Sequence, residues 1–279
     1  YPLILTLIIN IVNIFLSYYL VVHAGMEVAG VALGTVIAQY VGLIVGVFII
    51  LFRYKQYIFF ELVDKLKNWE PFARFMKVNF DLFLRTVGLT FAFGFFYSQS
   101  SKLSDTVLAV NVVLMQFVNW MSYGIDGFAF ASESLVGKYK GAKDDRSLVS
   151  VIKLSFVWGG VVSLIYALTY HLFGPSLFRL FSEDAELFSN GQVLLIYMAL
   201  FPIVSFASYI WDGIYIGLTA SKTMRNSMLY SLVVYLVAFY IGAEYFDQVN
   251  NLWISLMIFL GARGVIQWLY YKKLGLALE

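Results

Sequence analysis

The sequence predicts an all-α membrane protein with eight transmembrane helices. Three observations predict it. The 279 residues are 61% hydrophobic and 19% aromatic but only 13% charged, where soluble domains carry about 25% charged residues. Apolar runs of about 20 residues, the length that crosses a bilayer's hydrocarbon core, recur along nearly the whole chain. The Lys and Arg residues between those runs alternate from abundant to scarce, as loops on opposite sides of a membrane do. A β-barrel would need short alternating segments instead.

The expected spans, in order, are 2–22, 29–52, 74–98, 106–136, 148–172, 191–218, 226–246 and 251–271. With these, one side carries Arg53, Lys55, Lys65, Lys67, Arg74, Lys138, Lys140, Lys143, Arg146, Lys222, Arg225, Lys272 and Lys273, thirteen residues in all. The other side carries two, Lys102 and Arg179. The positive-inside rule makes the first side, and both ends of the chain, cytoplasmic. The first run starts at Tyr1-Pro2 without a basic leader or a small-residue cleavage site. It reads as a span rather than a signal peptide, in a chain whose upstream part is missing.

Three domains follow: a transmembrane hairpin (1–52), a linker (53–73) and a six-helix block (74–279). The linker mixes Tyr57, Phe60, Val63 and Trp69 with Glu61, Asp64, Lys65 and Lys67, as an amphipathic helix on the inner leaflet does. Residues 174–190, opening on Gly174-Pro175, are expected to form a short, partly helical re-entrant or surface piece. Pro202, inside a span, is expected to kink it.

Charge within the apolar runs carries the functional signal. Asp81, Arg85, Asp126 and Asp212 lie inside spans, where each charge costs at least about 3 kcal/mol on insertion scales. Asp126 is about 18 Å along its helix from Lys138, and Asp212 about 15 Å from Lys222, too deep to snorkel. Asn111, Asn119, Ser122, Asp126 and Glu133 share one face of the fourth span. Ser205, Ser208, Asp212 and Thr219 share one face of the sixth. Such stripes face other helices or a water-filled cavity. Asp81 and Arg85 are four residues apart, so they can pair on one helix, either as a structural ion pair or with Arg85 tuning Asp81 or receiving an anionic partner. Arg225 is placed at the interface, Glu133 near enough to it for solvation or pairing with Lys138, and Arg263 is a weaker candidate.

Several classes are excluded. There is no Cys, hence no disulfide and no Cys-ligated metal. No H-E-x-x-H, G-x-S-x-G or Walker A motif occurs, which argues against a protease, an esterase or an ATP-driven pump. A net charge of +2 is too small for a nucleic-acid partner. No enzyme activity, metal or cofactor is expected.

Residues 126–144, DGFAFASESLVGKYKGAKD, resemble the eighth-helix signature of multidrug and toxic compound extrusion (MATE) transporters, in their DinF-like branch. Asn79-Phe80-Asp81-Leu82-Phe83-Leu84-Arg85-Thr86 resembles the start of that branch's seventh helix. Trp211-Asp212-Gly213-Ile214-Tyr215-Ile216-Gly217, followed by Met224-Arg225-Asn226, is similar to its tenth helix and following loop. Asn13-Ile14-Phe15-Leu16-Ser17-Tyr18 and Gly30-Val31-Ala32-Leu33-Gly34-Thr35 resemble the fifth and sixth helices.

The resemblance implies a twelve-helix antiporter of two six-helix lobes in a bacterial inner membrane, with the first four helices absent here. The eight spans are then the last two helices of one lobe and a complete second lobe. It implies proton or sodium influx driving export of small organic, often cationic, compounds by a protein that is a monomer when full length. The family's first-lobe cation site uses an Asn and an Asp on the fifth helix and a Thr on the sixth. Asn13 and Thr35 match, while Ser17 stands in place of the Asp. That departure moves the expected ion-coupling or substrate-binding set to Asp81, Arg85, Asn111, Asp126 and Asp212. Asp81 and Asp212 would take up protons or meet the cation, and Arg85 would tune Asp81. Two rivals are weighed. A lipid-linked oligosaccharide flippase of the same superfamily requires a strongly cationic cavity, for which the second lobe offers chiefly Arg85 and Arg263. A non-transporting membrane scaffold requires the polar stripes to close into a dry, paired core.

Overall fold

The computed structural model describes residues 2–53 and 69–273. Most of the expected linker, including its amphipathic pattern, lies outside them. The described residues are helical apart from short connections. The helices are α1 (Pro2–Val22), α2 (Glu27–Arg53), α3 (Trp69–Leu103), α4 (Asp105–Gly141), α5 (Asp145–Phe181), the short α6 (Ala185–Gly191), α7 (Leu195–Gly217), α8 (Ser221–Gly242) and α9 (Gln248–Lys273). A 3₁₀ turn, Gln192–Leu194, joins α6 to α7. Among the described residues, eight helical segments are long and apolar enough to cross a membrane. The chain divides into two compact units, 1–73 and 74–279.

The first unit is the α1–α2 hairpin. Gly25, at φ +65°, sits in the turn, a conformation in which a side chain would be strained. Gly30, Gly34, Ala38 and Gly42 recur every fourth residue on α2 and are its buried positions. This small-residue stripe lets the two backbones approach closely. A Cβ on Gly34 would stand 2.6 Å from Ser17 Oγ and 2.9 Å from Ser17 N. Gly34→Val is therefore expected to push the helices apart at a cost of about 1–3 kcal/mol. Because the chain lacks cysteine, an Asn13→Cys/Thr35→Cys pair reports the packing directly. It should crosslink in the parent and fail to do so with Gly34→Val.

In the second unit α7 is the hub. It packs against α4, α5 and α9, while α8 packs on α9 and α4 on α5. Two glycines set the α4–α7 contact. A Cβ on Gly213 would strike the Ala129 carbonyl oxygen, and one on Gly217 would stand 2.6 Å from that of Glu133. The two helices thus run backbone to backbone along the stretch that carries Asp126 and Asp212. By contrast, α3 reaches its neighbours through longer side chains. Phe96 meets Trp253 at 4.8 Å and Phe95 meets Phe239 at 5.0 Å between ring centroids.

The expected break at Gly174-Pro175 does not occur. α5 continues through Pro175 to Phe181, and the re-entrant piece reduces to Ser182–Asp184 and α6. A proline within a helix costs about 3 kcal/mol, but packing opposes it here. Phe178 is fully buried and meets Phe188, and Phe181 meets Phe117 and Trp120. Pro202 lies inside the continuous helix α7.

At the start of α5, Asp144 Oδ1 accepts from the Ser147 backbone N–H at 3.1 Å. The Ser147 hydrogen bonds hold the Asp144 carboxyl below the ordinary aspartate value of 3.8. A lowered folded-state value means that the cap's contribution is complete above 3.8 and is lost as pH falls through the folded value. Asparagine caps equally well but does not titrate. Asp144→Asn should therefore keep the neutral-pH melting temperature and lose this part of the acid-induced destabilisation, as thermal scans between pH 5 and pH 2 would show.

Candidate functional site

Polar groups from two helices, α3 and α9, converge on Asp212 of α7. Arg85 Nη2 of α3 and Arg263 Nη2 of α9 both donate to Asp212 Oδ2, and Gln267 Nε2 donates to Oδ1 at 2.8 Å. Asp212 is 7% exposed and Arg263 2%. A buried ion pair needs this density of partners to offset its desolvation. Arg85 Nε, Arg263 Nε and Gln267 Oε1 are buried without a hydrogen-bond partner among the described residues.

Beside this cluster lies a cavity of about 250 Å³, lined by Arg85, Asp126, Glu133, Tyr209, Asp212 and Arg263 together with Leu89, Phe93 and Phe130. Asp126 is half-buried. Among the described residues neither Asp126 nor Glu133 has an ion pair or a side-chain hydrogen bond. With all five groups ionised, three carboxylates face two guanidiniums, and the cavity carries one net negative charge.

The remaining expected residues lie elsewhere. Asp81 does not pair with Arg85. Arg225 Nη1 of α8 reaches Asp81 Oδ1 at 2.5 Å, and Ser221 Oγ donates to Oδ2 at 3.0 Å. Arg85 instead turns across to Asp212, which has no basic residue on its own helix and is buried too deeply to remain uncompensated. Asp81 is outside the cavity, and Arg225 acts as its partner. Asn111 is fifteen residues along α4 from Asp126, about 22 Å at helical rise. It donates to Ser100 Oγ at 2.9 Å and accepts from Trp253 Nε1 at 3.0 Å, tying α4 to α3 and α9. In the hairpin, Asn13 Nδ2 donates to Thr35 Oγ1 at 2.9 Å. Ser17 Oγ is buried against Gly34 without a hydrogen-bond partner among the described residues.

A family model, MatE, matches residues 82–260, most of the six-helix unit and all of its hub. The chain belongs to the MATE family. It is 32% identical over 276 residues to DNA damage-inducible protein F of Escherichia coli (strain K12), covering 95% of this chain and 57% of that protein. It is 24% identical over 211 residues to the probable multidrug resistance protein NorM of Thermotoga maritima, covering 72% of this chain and 44% of that one. This MATE chain thus spans about half the length of the curated relatives it matches. In fold it is similar to an outward-facing multidrug resistance MATE family transporter. The TM-score is 0.85 at 18% identity, over 97% of this chain and 61% of the other.

Sequence reading underrated Arg263 and Glu133 of this MATE chain and missed Gln267. A signal was present for the last. Asn251, Ser255, Arg263 and Gln267 follow a four-residue rhythm on α9, and all four are buried. In an otherwise apolar span that stripe marks an inward polar face.

Proposed function

We propose that this chain forms the coupling and cargo-binding lobe of a secondary active efflux transporter that exports small organic cations against proton or sodium influx. The observation that carries the proposal is the net-negative cavity with Asp126 open beside a fully compensated Asp212. A carboxylate without an ion pair is available to a proton, a sodium ion or a cationic cargo, and to only one of them at a time. Phe93, Phe130 and Tyr209 supply the ring faces that favour an organic cation. Asp212, held by Arg85, Arg263 and Gln267, ties together α3, α7 and α9, three of the four helices that line the cavity. Exchange at Asp126 would bias which side of the membrane the cavity faces as the lobes rock. By the positive-inside rule both ends of the chain would face the cytoplasm, with the spans in a bacterial inner membrane, and the full-length protein would act as a monomer.

The flippase reading calls for surplus positive charge, and two arginines facing three acids do not supply it. The scaffold reading calls for a closed, paired core, and Asp126 and Glu133 are not paired. To test the proposal, full-length protein is reconstituted into liposomes and movement of a fluorescent lipophilic cation is followed under an imposed pH or sodium gradient. Gradient-driven movement that collapses with an ionophore is expected. Cation movement no faster than in empty liposomes under either gradient would refute it.

A further inference from the structure

A second feature lies on the outer surface of the six-helix unit, apart from the charged cavity. A groove of about 720 Å³ runs between α5, α7 and α9, within the volume range of small-molecule sites. Its walls include Phe156, Val157, Trp211, Val265 and Trp268, and its single charged lining residue is Lys153. Val157 and Val265 are 59% and 56% exposed on spanning helices, so the groove opens onto lipid.

The groove has a polarity gradient, and all three helices agree on its direction. α5 begins, and α7 and α9 end, at the end of the unit that carries the basic loops. From that end inward, α9 presents Trp268, Val265 and Gly261, with Lys272 one turn outside Trp268, and α5 presents Lys153, Phe156 and Val157. α7 presents Trp211, Ala207 and Val204. Lys272 Nζ stands 3.7 Å from the centroid of the Trp268 ring, which holds an ammonium at the mouth of the groove. Lys153 is about 12 Å from the start of α5, within reach of the same mouth for a side chain whose ammonium seeks the interface. Cations at the interface and an apolar channel running inward from them match one amphiphile of opposite charge.

We propose that the groove binds an anionic phospholipid, its phosphate at Lys153 and Lys272 and one acyl chain laid along Trp268, Val265 and Phe156. Basic pockets between spanning helices select acidic headgroups in this manner. The site is independent of the transport reading.

Native mass spectrometry of the full-length protein, released from an equimolar mixture of phosphatidylglycerol and phosphatidylcholine, tests the site. Phosphatidylglycerol should be retained with a roughly thirtyfold preference, which two lysines near the headgroup would supply. K153Q/K272Q should remove the preference, and V265F, which fills the groove, should remove the adduct. K138Q/K140Q, with the same loss of charge outside the groove, should leave both unchanged. Circular dichroism checks that each variant is folded, and if V265F misfolds, the lysine pairs decide the matter alone. Equal retention of the two lipids by the parent would overturn the site. So would equal effects of the two lysine pairs, which would show diffuse attraction to the basic surface.

Discussion

Asp126→Asn is expected to abolish gradient-driven cation transport and leave the protein folded. The substitution is isosteric, the side chain is half-buried, and its carboxylate takes part in no ion pair or side-chain hydrogen bond among the described residues. No packing is lost, so stability should change by no more than about 0.5 kcal/mol. What is lost is the charge that a proton or a cargo cation would neutralise. In reconstituted liposomes, cation flux should fall to the level of empty vesicles while the melting temperature stays at that of the parent. The sixth-span acid should behave in the opposite sense.

Asp212→Asn is expected to destabilise the six-helix unit by about 3–5 kcal/mol, the usual penalty for removing one partner of a buried ion pair. Two guanidiniums, Arg85 and Arg263, would then face each other without a carboxylate between them. The effect should centre on α3. Arg85 is one of its few links to the hub helix, whereas α4, α5 and α9 pack on that hub closely. Chemical denaturation in detergent would show the loss. A variant that also removes the arginine charges, Asp212→Asn with Arg85→Gln and Arg263→Gln, should recover part of it. Recovery would identify uncompensated charge, rather than altered shape, as the cause.

The spans were readable because each depends on local quantities, length and hydropathy, that tertiary packing does not reverse. The expense of Asp81, Asp126 and Asp212 was readable for the same reason. Which charge meets which was not readable. Asp81 and Arg85 are neighbours on one helix, yet each is paired with a different helix. Partner choice depends on how α3, α7, α8 and α9 are rotated about their axes, and a one-dimensional pattern leaves that angle open. The glycines that fix the rotation, Gly213 and Gly217, are plain in the sequence only as small residues. Their role depends on Ala129 and Glu133 across the interface. Gly174-Pro175 failed as a boundary because the packing of Phe178 and Phe181 beyond it outweighs the proline.

The division of labour between Asp126 and Asp212 is tested most directly by proton release on cargo binding. A lipophilic cation is added to full-length protein in weakly buffered detergent, and the pH change is recorded across a range of starting pH. If Asp126 is the exchangeable carboxylate, the parent releases up to one proton per bound cation, and Asp126→Asn releases none. A parent-like proton yield from Asp126→Asn would contradict that assignment and move the exchange to another group.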